Sequence, residues 1–104
     1  MKKNLQVLAL TTLLISQIAE AQTYSLSGTF TRGLQTYEIT TNHSTTYFIE
    51  DPKQLIRTLD INKKHTGFWA SFPLCIEGQL SKKGSYGPNG KYSYKVVVDK
   101  ICNA

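Results

Sequence analysis

The sequence contains few of the side chains that enzymes use for chemistry. Its 104 residues include only seven Asp and Glu, two His and two Cys. The histidines, His43 and His65, lack the i, i+4 spacing to a second ligand that helical zinc sites use. No serine lies in a nucleophile elbow, and there is no phosphate-binding G-x-x-x-x-G-K-[ST] sequence. We therefore expect no catalytic residue, no metal and no cofactor.

Long hydrophobic runs are absent after the N-terminal segment, so no later segment is expected to span a membrane. The N-terminus itself combines a basic start (Lys2, Lys3), an apolar stretch (Leu5 to Ile18) and a small-x-small sequence ending at Ala21. This combination is typical of a secretory signal peptide. We predict that residues 1–21 are a signal peptide and that the protein is exported, to the periplasm or beyond the cell.

The remaining residues, 22–104, are enough for a single small domain. They carry ten Lys and Arg against six Asp and Glu, a net charge of +4. This charge favours anionic partners through long-range attraction, although it also has an ordinary role in solubility.

The two cysteines, Cys75 and Cys102, do not form a C-x-x-C redox motif. In an exported chain they are expected to form one intramolecular disulfide. If they face each other across an antiparallel hairpin, its midpoint falls between Pro88 and Asn89, inside the turn sequence Gly87 to Gly90. The disulfide and the turn therefore predict the same hairpin.

This hairpin register makes specific strand-pairing predictions. It pairs Ile76 with Ile101, Glu77 with Lys100 and Leu80 with Val97, which are favourable cross-strand pairs. It also opposes Lys82 to Lys95 and Gly78 to Asp99, which are unfavourable. We therefore expect a regular hairpin near the disulfide and a bulged or splayed one towards the tip.

The rest of the chain follows the alternation typical of β-strands, with one change of period. Strands are expected over 24–31, 37–41, 46–49, 74–81 and 92–102. Between the third and fourth, Asp51 is predicted as the N-cap of a short helix that ends near Asp60, with Pro52 in its first turn and Gln54 as capping-box partner. Phe68 and Trp69 are interpreted as core or as a plug of the barrel end, with a ligand platform as the alternative.

Three strands, a capped helix and a final two-stranded hairpin resemble the OB-fold, an all-β five-stranded Greek-key barrel with one short helix. The endings "CIEGQL" and "YKVVVDKIC" around a Gly-rich hairpin resemble small exported bacterial OB-like proteins of unknown function. A second similarity is to the pentameric B-subunits of bacterial toxins, which bind cell-surface glycans, but this chain lacks their cysteine near the mature N-terminus. The OB resemblance implies ligand binding at strands two and three and the adjoining loops, here residues 32–35 and 83–91.

The predicted ligand surface is basic and aromatic, a combination that holds anions and sugars. Its residues are Arg32, Lys82, Lys83, Tyr86, Lys91, Tyr92 and Tyr94. The alternative is that the tyrosines pack across the hairpin and the lysines keep its edge soluble.

The functional hypothesis is a non-enzymatic domain that binds an anionic ligand, a saccharide or an envelope protein through its last hairpin. The alternative is an inhibitor or accessory protein of a secreted enzyme. Export argues against nucleic acid, and the sequence leaves the oligomeric state open.

Overall fold

The computed structural model describes residues 22–102, so the predicted signal peptide lies outside the described residues. The strands are β1 (Tyr24–Arg32), β2 (Tyr37–Thr41), β3 (Thr46–Glu50), β4 (Ala70–Leu80) and β5 (Lys95–Ile101). Helix α1 (Leu55–Asn62) connects β3 to β4, and a short 3-10 helix (Pro88–Gly90) lies between β4 and β5. Within the described residues, no helix has the length and apolar character that crossing a membrane requires.

The five strands close into a barrel in the order β1-β2-β3-β5-β4, with β4 returning to β1. All neighbours are antiparallel except β3 and β5, which run parallel. The parallel pair follows from the chain crossing the barrel end through α1 before it forms β4 and β5. The predicted OB-like barrel with one short helix is therefore confirmed.

Alternating side chains from every strand fill the barrel with aliphatic and aromatic groups. The most deeply buried of them come from four strands and from α1: Phe30, Ile39, Ile56, Ile76, Val96 and Val98. Ile56 of α1 belongs to this core, with Leu55 and Leu59 packed against it. The helix thus closes one end of the barrel.

The disulfide between Cys75 and Cys102 is formed as predicted, with the two Cα atoms 5.2 Å apart. Next to it, Ile76 pairs with Ile101 and Glu77 with Lys100, also as predicted. The Lys100 ammonium lies 3.5 Å from the Glu77 carboxylate. The covalent link therefore fixes the register at this end of the hairpin.

The register then shifts between Glu77 and Gly78, nearer to the disulfide than the sequence predicted. Leu80 consequently pairs with Val96, so the predicted pair with Val97 is wrong. In the unshifted register Asp99 would oppose Gly78 on the core face. The shift turns Val96 and Val98 inward instead, and both are fully buried. Burial of two valines in place of a carboxylate explains why the bulge lies here.

The helix begins at Leu55, four residues after the predicted N-cap. Gln54 is the N-cap residue in a left-handed conformation, and its side chain makes no capping bond. Asp51 nevertheless caps the helix from the preceding turn, because its carboxylate accepts bonds from the Leu55 and Ile56 amides at 2.9 and 2.8 Å. The predicted capping function of Asp51 is therefore present, but the predicted capping box is wrong.

Replacing Asp51 by alanine is expected to lower the free energy of unfolding by about 1 to 2 kcal/mol, because two helix amides lose their acceptor. Urea unfolding followed by circular dichroism measures this loss. Asp51→Asn is the matched control, since it keeps an oxygen acceptor and should recover much of the stability. Equal losses in both variants would contradict the capping explanation.

The starts of two strands differ from the sequence predictions by three residues or more. Strand β4 begins at Ala70, four residues early, and β5 begins at Lys95, three residues late. Phe68 and Trp69 precede β4 and are 71% and 66% exposed, so their assignment to the core is wrong. The barrel end that they were expected to plug is already filled by α1 and by Phe72.

Candidate functional site

The predicted ligand residues lie in two separate places. Six of them belong to the β4–β5 loop, residues 81–94. Its tip is the predicted turn: the Gly90 amide donates to the Gly87 carbonyl at 3.0 Å, and Asn89 has a φ of 59°. Tyr86 and Tyr92 are bonded to each other through both backbone groups, at 2.8 and 3.1 Å. The loop is therefore an ordered hairpin extension.

Tyr92 fastens this loop to the outside of the barrel. It is only 6% exposed, its hydroxyl donates to the Glu38 carboxylate at 2.6 Å, and its ring lies 5.5 Å from that of Phe48. Burial, the hydrogen bond to Glu38 and the charge of Glu38 raise the pKa of Tyr92 well above its ordinary value of 10.0. Gly87 lets the loop lie close, since a Cβ there would come within 2.9 Å of both rings.

The other two tyrosines are also engaged within the chain. The Tyr86 hydroxyl donates to the Lys82 carbonyl at 2.8 Å. The ring of Tyr94 lies 6.0 Å from that of Tyr47 in β3. The tyrosines thus stabilise the loop, and their contacts reach β2 and β3 as well as the hairpin itself.

The lysines of the β4–β5 loop are more open. Lys82, Lys83 and Lys91 are exposed, and none forms an ion pair with a carboxylate of residues 22–102. Lys91 lies 5.2 Å above the Tyr92 ring. Lys95 pairs with Glu50 at 3.1 Å. Three ammonium groups are therefore displayed on an ordered scaffold.

Arg32 lies apart from the loop, at the end of β1. Its guanidinium donates to Asp60 at 2.5 Å and to the carbonyls of Gly67 and Phe68 at 2.8 and 3.1 Å. It therefore ties α1 and the segment before β4 to the β1–β2 hairpin. The sequence did not predict this role.

Arg32 also lines a cleft of about 630 Å³ that we call the helix groove. The groove runs between α1 and the barrel end formed by β1, β2 and β3. Its lining combines apolar and charged side chains: Arg32, Tyr37, Phe48, Ile49, Asp51, Gln54, Arg57, Asp60, Ile61, His65 and Gly67. Its volume is in the range of small-molecule sites.

A buried ionic cluster forms one wall of the helix groove. Asp60 is 7% exposed, and its Oδ2 accepts a hydrogen bond from Arg32 Nε. Its Oδ1 lies 2.9 Å from His65 Nδ1 and accepts a longer bond of 3.4 Å from Arg32 Nη2. Burial alone would raise the pKa of Asp60, but the hydrogen bonds and charges of Arg32 and His65 outweigh it and lower the pKa below 3.8. The His65 ring stacks on Phe72 at 5.2 Å, so the cluster is also packed against the core.

Three polar side chains in the helix groove have no partner within residues 22–102. The Tyr37 hydroxyl, the Gln54 amide and the Arg57 guanidinium form no side-chain hydrogen bond or ion pair there. Burial, followed by the charges of Asp51 and Asp60, raises the pKa of Tyr37 to about 12. Tyr37 is therefore a neutral hydrogen-bond donor at physiological pH.

The lining of the helix groove contains no serine, threonine, cysteine or lysine, so the Asp60–His65 pair has none of these nucleophiles beside it. Among the described residues, no three His, Cys, Asp or Glu side chains are grouped so that they could hold a metal ion. The arrangement is suited to holding a ligand by charge, hydrogen bonds and apolar contact.

The sequence analysis singled out Arg32 as a ligand residue but grouped it with the final hairpin, and it did not predict the other polar residues of this groove as ligand residues. Tyr37, Arg57 and His65 belong to three different elements, and only closure of the barrel brings them together. A signal was available in the OB element order, which places the helix against the end of the barrel.

Comparison of the chain with protein-family models, with curated proteins and with solved structures finds no match in any of the three.

Proposed function

We propose that the protein is an exported, non-enzymatic binding domain that holds a small anionic molecule with an apolar body in the helix groove. The observation that carries this proposal is the convergence of Tyr37, Gln54 and Arg57, all without partners in the described structure, on one concave surface. Clefts of this size with a few converging polar groups are the usual form of small-molecule sites.

The chemistry of the groove supports an anion with an apolar body. Arg57 offers a guanidinium, which binds carboxylate, sulfate or phosphate groups through two parallel hydrogen bonds. Tyr37 offers a neutral donor, and Ile61, which is largely exposed, offers apolar surface. Asp60 already binds Arg32 and His65, so its charge is compensated and repels an anion less.

The β4–β5 loop supports a second candidate, binding of an extended polyanion or an acidic protein surface. The supporting observation is the exposure of Lys82, Lys83 and Lys91 without carboxylate partners among residues 22–102. Such groups attract negative charge over a broad surface without recognising a particular small molecule. Inhibition of a secreted enzyme would be one form of this binding. A saccharide ligand is less favoured, because the ring of Tyr92 is buried.

Titration of residues 22–104 with anilinonaphthalene sulfonate, a small apolar anion, tests the groove proposal. Arg57→Gln is expected to weaken binding about tenfold or more, because a hydrogen bond to a charged group is lost. Tyr37→Phe should weaken it by about three- to tenfold. The affinity is measured by calorimetry, and circular dichroism verifies that each variant is folded.

The triple variant Lys82→Gln, Lys83→Gln and Lys91→Gln is the matched control. It should bind the dye like the wild type while eluting from heparin at lower salt. Loss of dye binding in the triple variant, with Arg57→Gln unaffected, would reject the groove and favour the β4–β5 loop.

A further inference from the structure

Four large hydrophobic side chains are exposed at the helix-closed end of the barrel. Leu34 in the β1–β2 turn is 76% exposed, Phe68 and Trp69 before β4 are 71% and 66% exposed, and Ile61 of α1 is 63% exposed. Single exposed hydrophobic residues are common on protein surfaces, but several from different segments at one end point to an interaction surface.

These side chains are presented on a fixed backbone. Arg32 binds the carbonyls of Gly67 and Phe68, which ties their segment to β1. The Trp69 ring lies against Gly33, where a Cβ would come within 2.9 Å of two ring carbons. The β1–β2 turn is closed by a hydrogen bond of 2.9 Å from the Gly33 amide to the Thr36 carbonyl. The apolar surface formed by Leu34, Phe68 and Trp69, which we call the apolar edge, is therefore preformed.

The charge around the apolar edge is positive. Lys63 and Lys64 follow α1, are exposed, and form no ion pair with a described carboxylate. Lys63 lies 5.5 Å from the centre of the Phe72 ring, so it belongs to this end of the barrel. Asp60, the single acidic residue of α1, is buried and already paired with Arg32 and His65.

We propose that the apolar edge docks the protein onto the surface of an anionic lipid bilayer. Tryptophan and phenylalanine lie favourably at the level of lipid headgroups, where one part of the ring is apolar and another remains wet. Lysines beside them are attracted by anionic headgroups. Lysine is depleted at protein–protein interfaces, so the lysines beside the apolar edge favour an anionic lipid surface over a protein partner.

This docking is independent of the ligand proposed for the helix groove. Leu34, Phe68 and Trp69 do not line the groove. A protein whose groove bound nothing would still dock, and a protein that did not dock would still bind the dye. The two proposals can therefore fail separately.

Trp69 provides a direct test, because it is the single tryptophan of the chain. Residues 22–104 are mixed with vesicles of phosphatidylcholine alone or of phosphatidylcholine with phosphatidylglycerol. With the anionic vesicles, Trp69 emission should shift to the blue, be quenched by brominated acyl chains and return to its starting position at high salt. Vesicles of phosphatidylcholine alone should produce a much smaller shift.

Two double variants keep Trp69 as the fluorescent reporter. One removes the other apolar side chains of the apolar edge, and the second removes the two lysines beside it. Leu34→Ser with Phe68→Ser should weaken partitioning onto anionic vesicles about tenfold or more, while dye binding in the groove is unchanged. Lys63→Gln with Lys64→Gln should weaken it by a similar factor and reduce its dependence on salt. Lys82→Gln with Lys83→Gln, in the β4–β5 loop, is the matched charge control and should partition like the wild type.

Three results would overturn the proposal. The first is the absence of an emission shift and of co-sedimentation with anionic vesicles. The second is a shift that grows with protein concentration without vesicles, which would assign the apolar edge to a second copy of the chain. The third is an equal loss of partitioning in the Lys63/Lys64 variant and in the Lys82/Lys83 variant, which would indicate unspecific attraction by net charge.

Discussion

Asp60→Asn is expected to lower the free energy of unfolding by about 2 to 4 kcal/mol. The substitution keeps the size of the side chain but removes the charge that compensates Arg32 and the second acceptor that holds His65. Removing one partner of a fully buried pair costs more, but Arg32 keeps some contact with water. Loss of the Asp60 charge should also loosen the segment that carries Phe68, because Arg32 binds both Asp60 and the Phe68 carbonyl.

Urea unfolding at neutral pH measures this effect. Glu77→Gln is the matched control, because the pair of Glu77 with Lys100 lies at the surface and should contribute less than about 1 kcal/mol. Native-state cleavage by chymotrypsin after Phe68 or Trp69 should become faster in the Asp60 variant and stay unchanged in the control. Wild-type stability in Asp60→Asn would show that the cluster does not organise this end of the barrel.

The same cluster makes stability depend on pH. The pKa of Asp60 is lowered in the folded protein, so its contribution is fully present above the ordinary value of 3.8 and is lost as the pH falls through the folded value. The stability difference between wild type and Asp60→Asn should therefore be constant near neutral pH and shrink below about pH 4. A difference that stays constant down to acid unfolding would contradict this linkage.

Local and covalent constraints explain what the sequence predicted correctly. The cysteines and the Pro88–Asn89 turn define the same hairpin, and both are present in the structure. The strands followed from alternation, and these features depend on residues close in sequence or on one covalent bond. The arrangement of the strands in a barrel was implied by the resemblance of the element order to the OB-fold.

The predictions that failed depend on the assembled barrel. The position of the bulge is decided by whether Asp99 or the pair Val96 and Val98 faces the core, which pairing across the hairpin does not reveal. Phe68 and Trp69 were assigned inward by residue type, but Ile56 and Phe72 already fill that end. Hydrophobic character indicates a preference for burial without showing how much space the core has left.

The β4–β5 loop also changes how the OB resemblance should be applied to this chain. That resemblance predicts ligands on the outward surface of strands two and three. Here Tyr92 and Gly87 lie against Phe48 of β3, and the Tyr92 hydroxyl binds Glu38 of β2. The chain's own loop therefore occupies part of that surface. The helix groove at the barrel end is a concave surface that the loop leaves open, so it is the stronger candidate for the ligand site.

Replacing Cys75 and Cys102 together by serine is expected to lower the free energy of unfolding by about 3.5 kcal/mol. The bond closes a chain segment with a sequence separation of 27, and its removal restores that entropy to the unfolded chain. For a domain of this size the loss corresponds to a fall in the melting temperature of about 15 to 25 °C. The end of β5 should fray first, because the Cys102 amide bonds to the Cys75 carbonyl directly beside the link.

Thermal unfolding followed by circular dichroism, with and without reductant, measures this contribution. The oxidised wild type should show no free thiol by non-reducing mass spectrometry and should melt far above both its reduced form and the serine variant. The serine variant has no disulfide, so its melting temperature should be the same with and without reductant. It therefore controls for other effects of the reductant. A reduced wild type that melts like the oxidised protein would mean that the barrel core alone holds β4 and β5 together. The burial of Val96 and Val98 would then be sufficient to fix the hairpin register without the covalent bond.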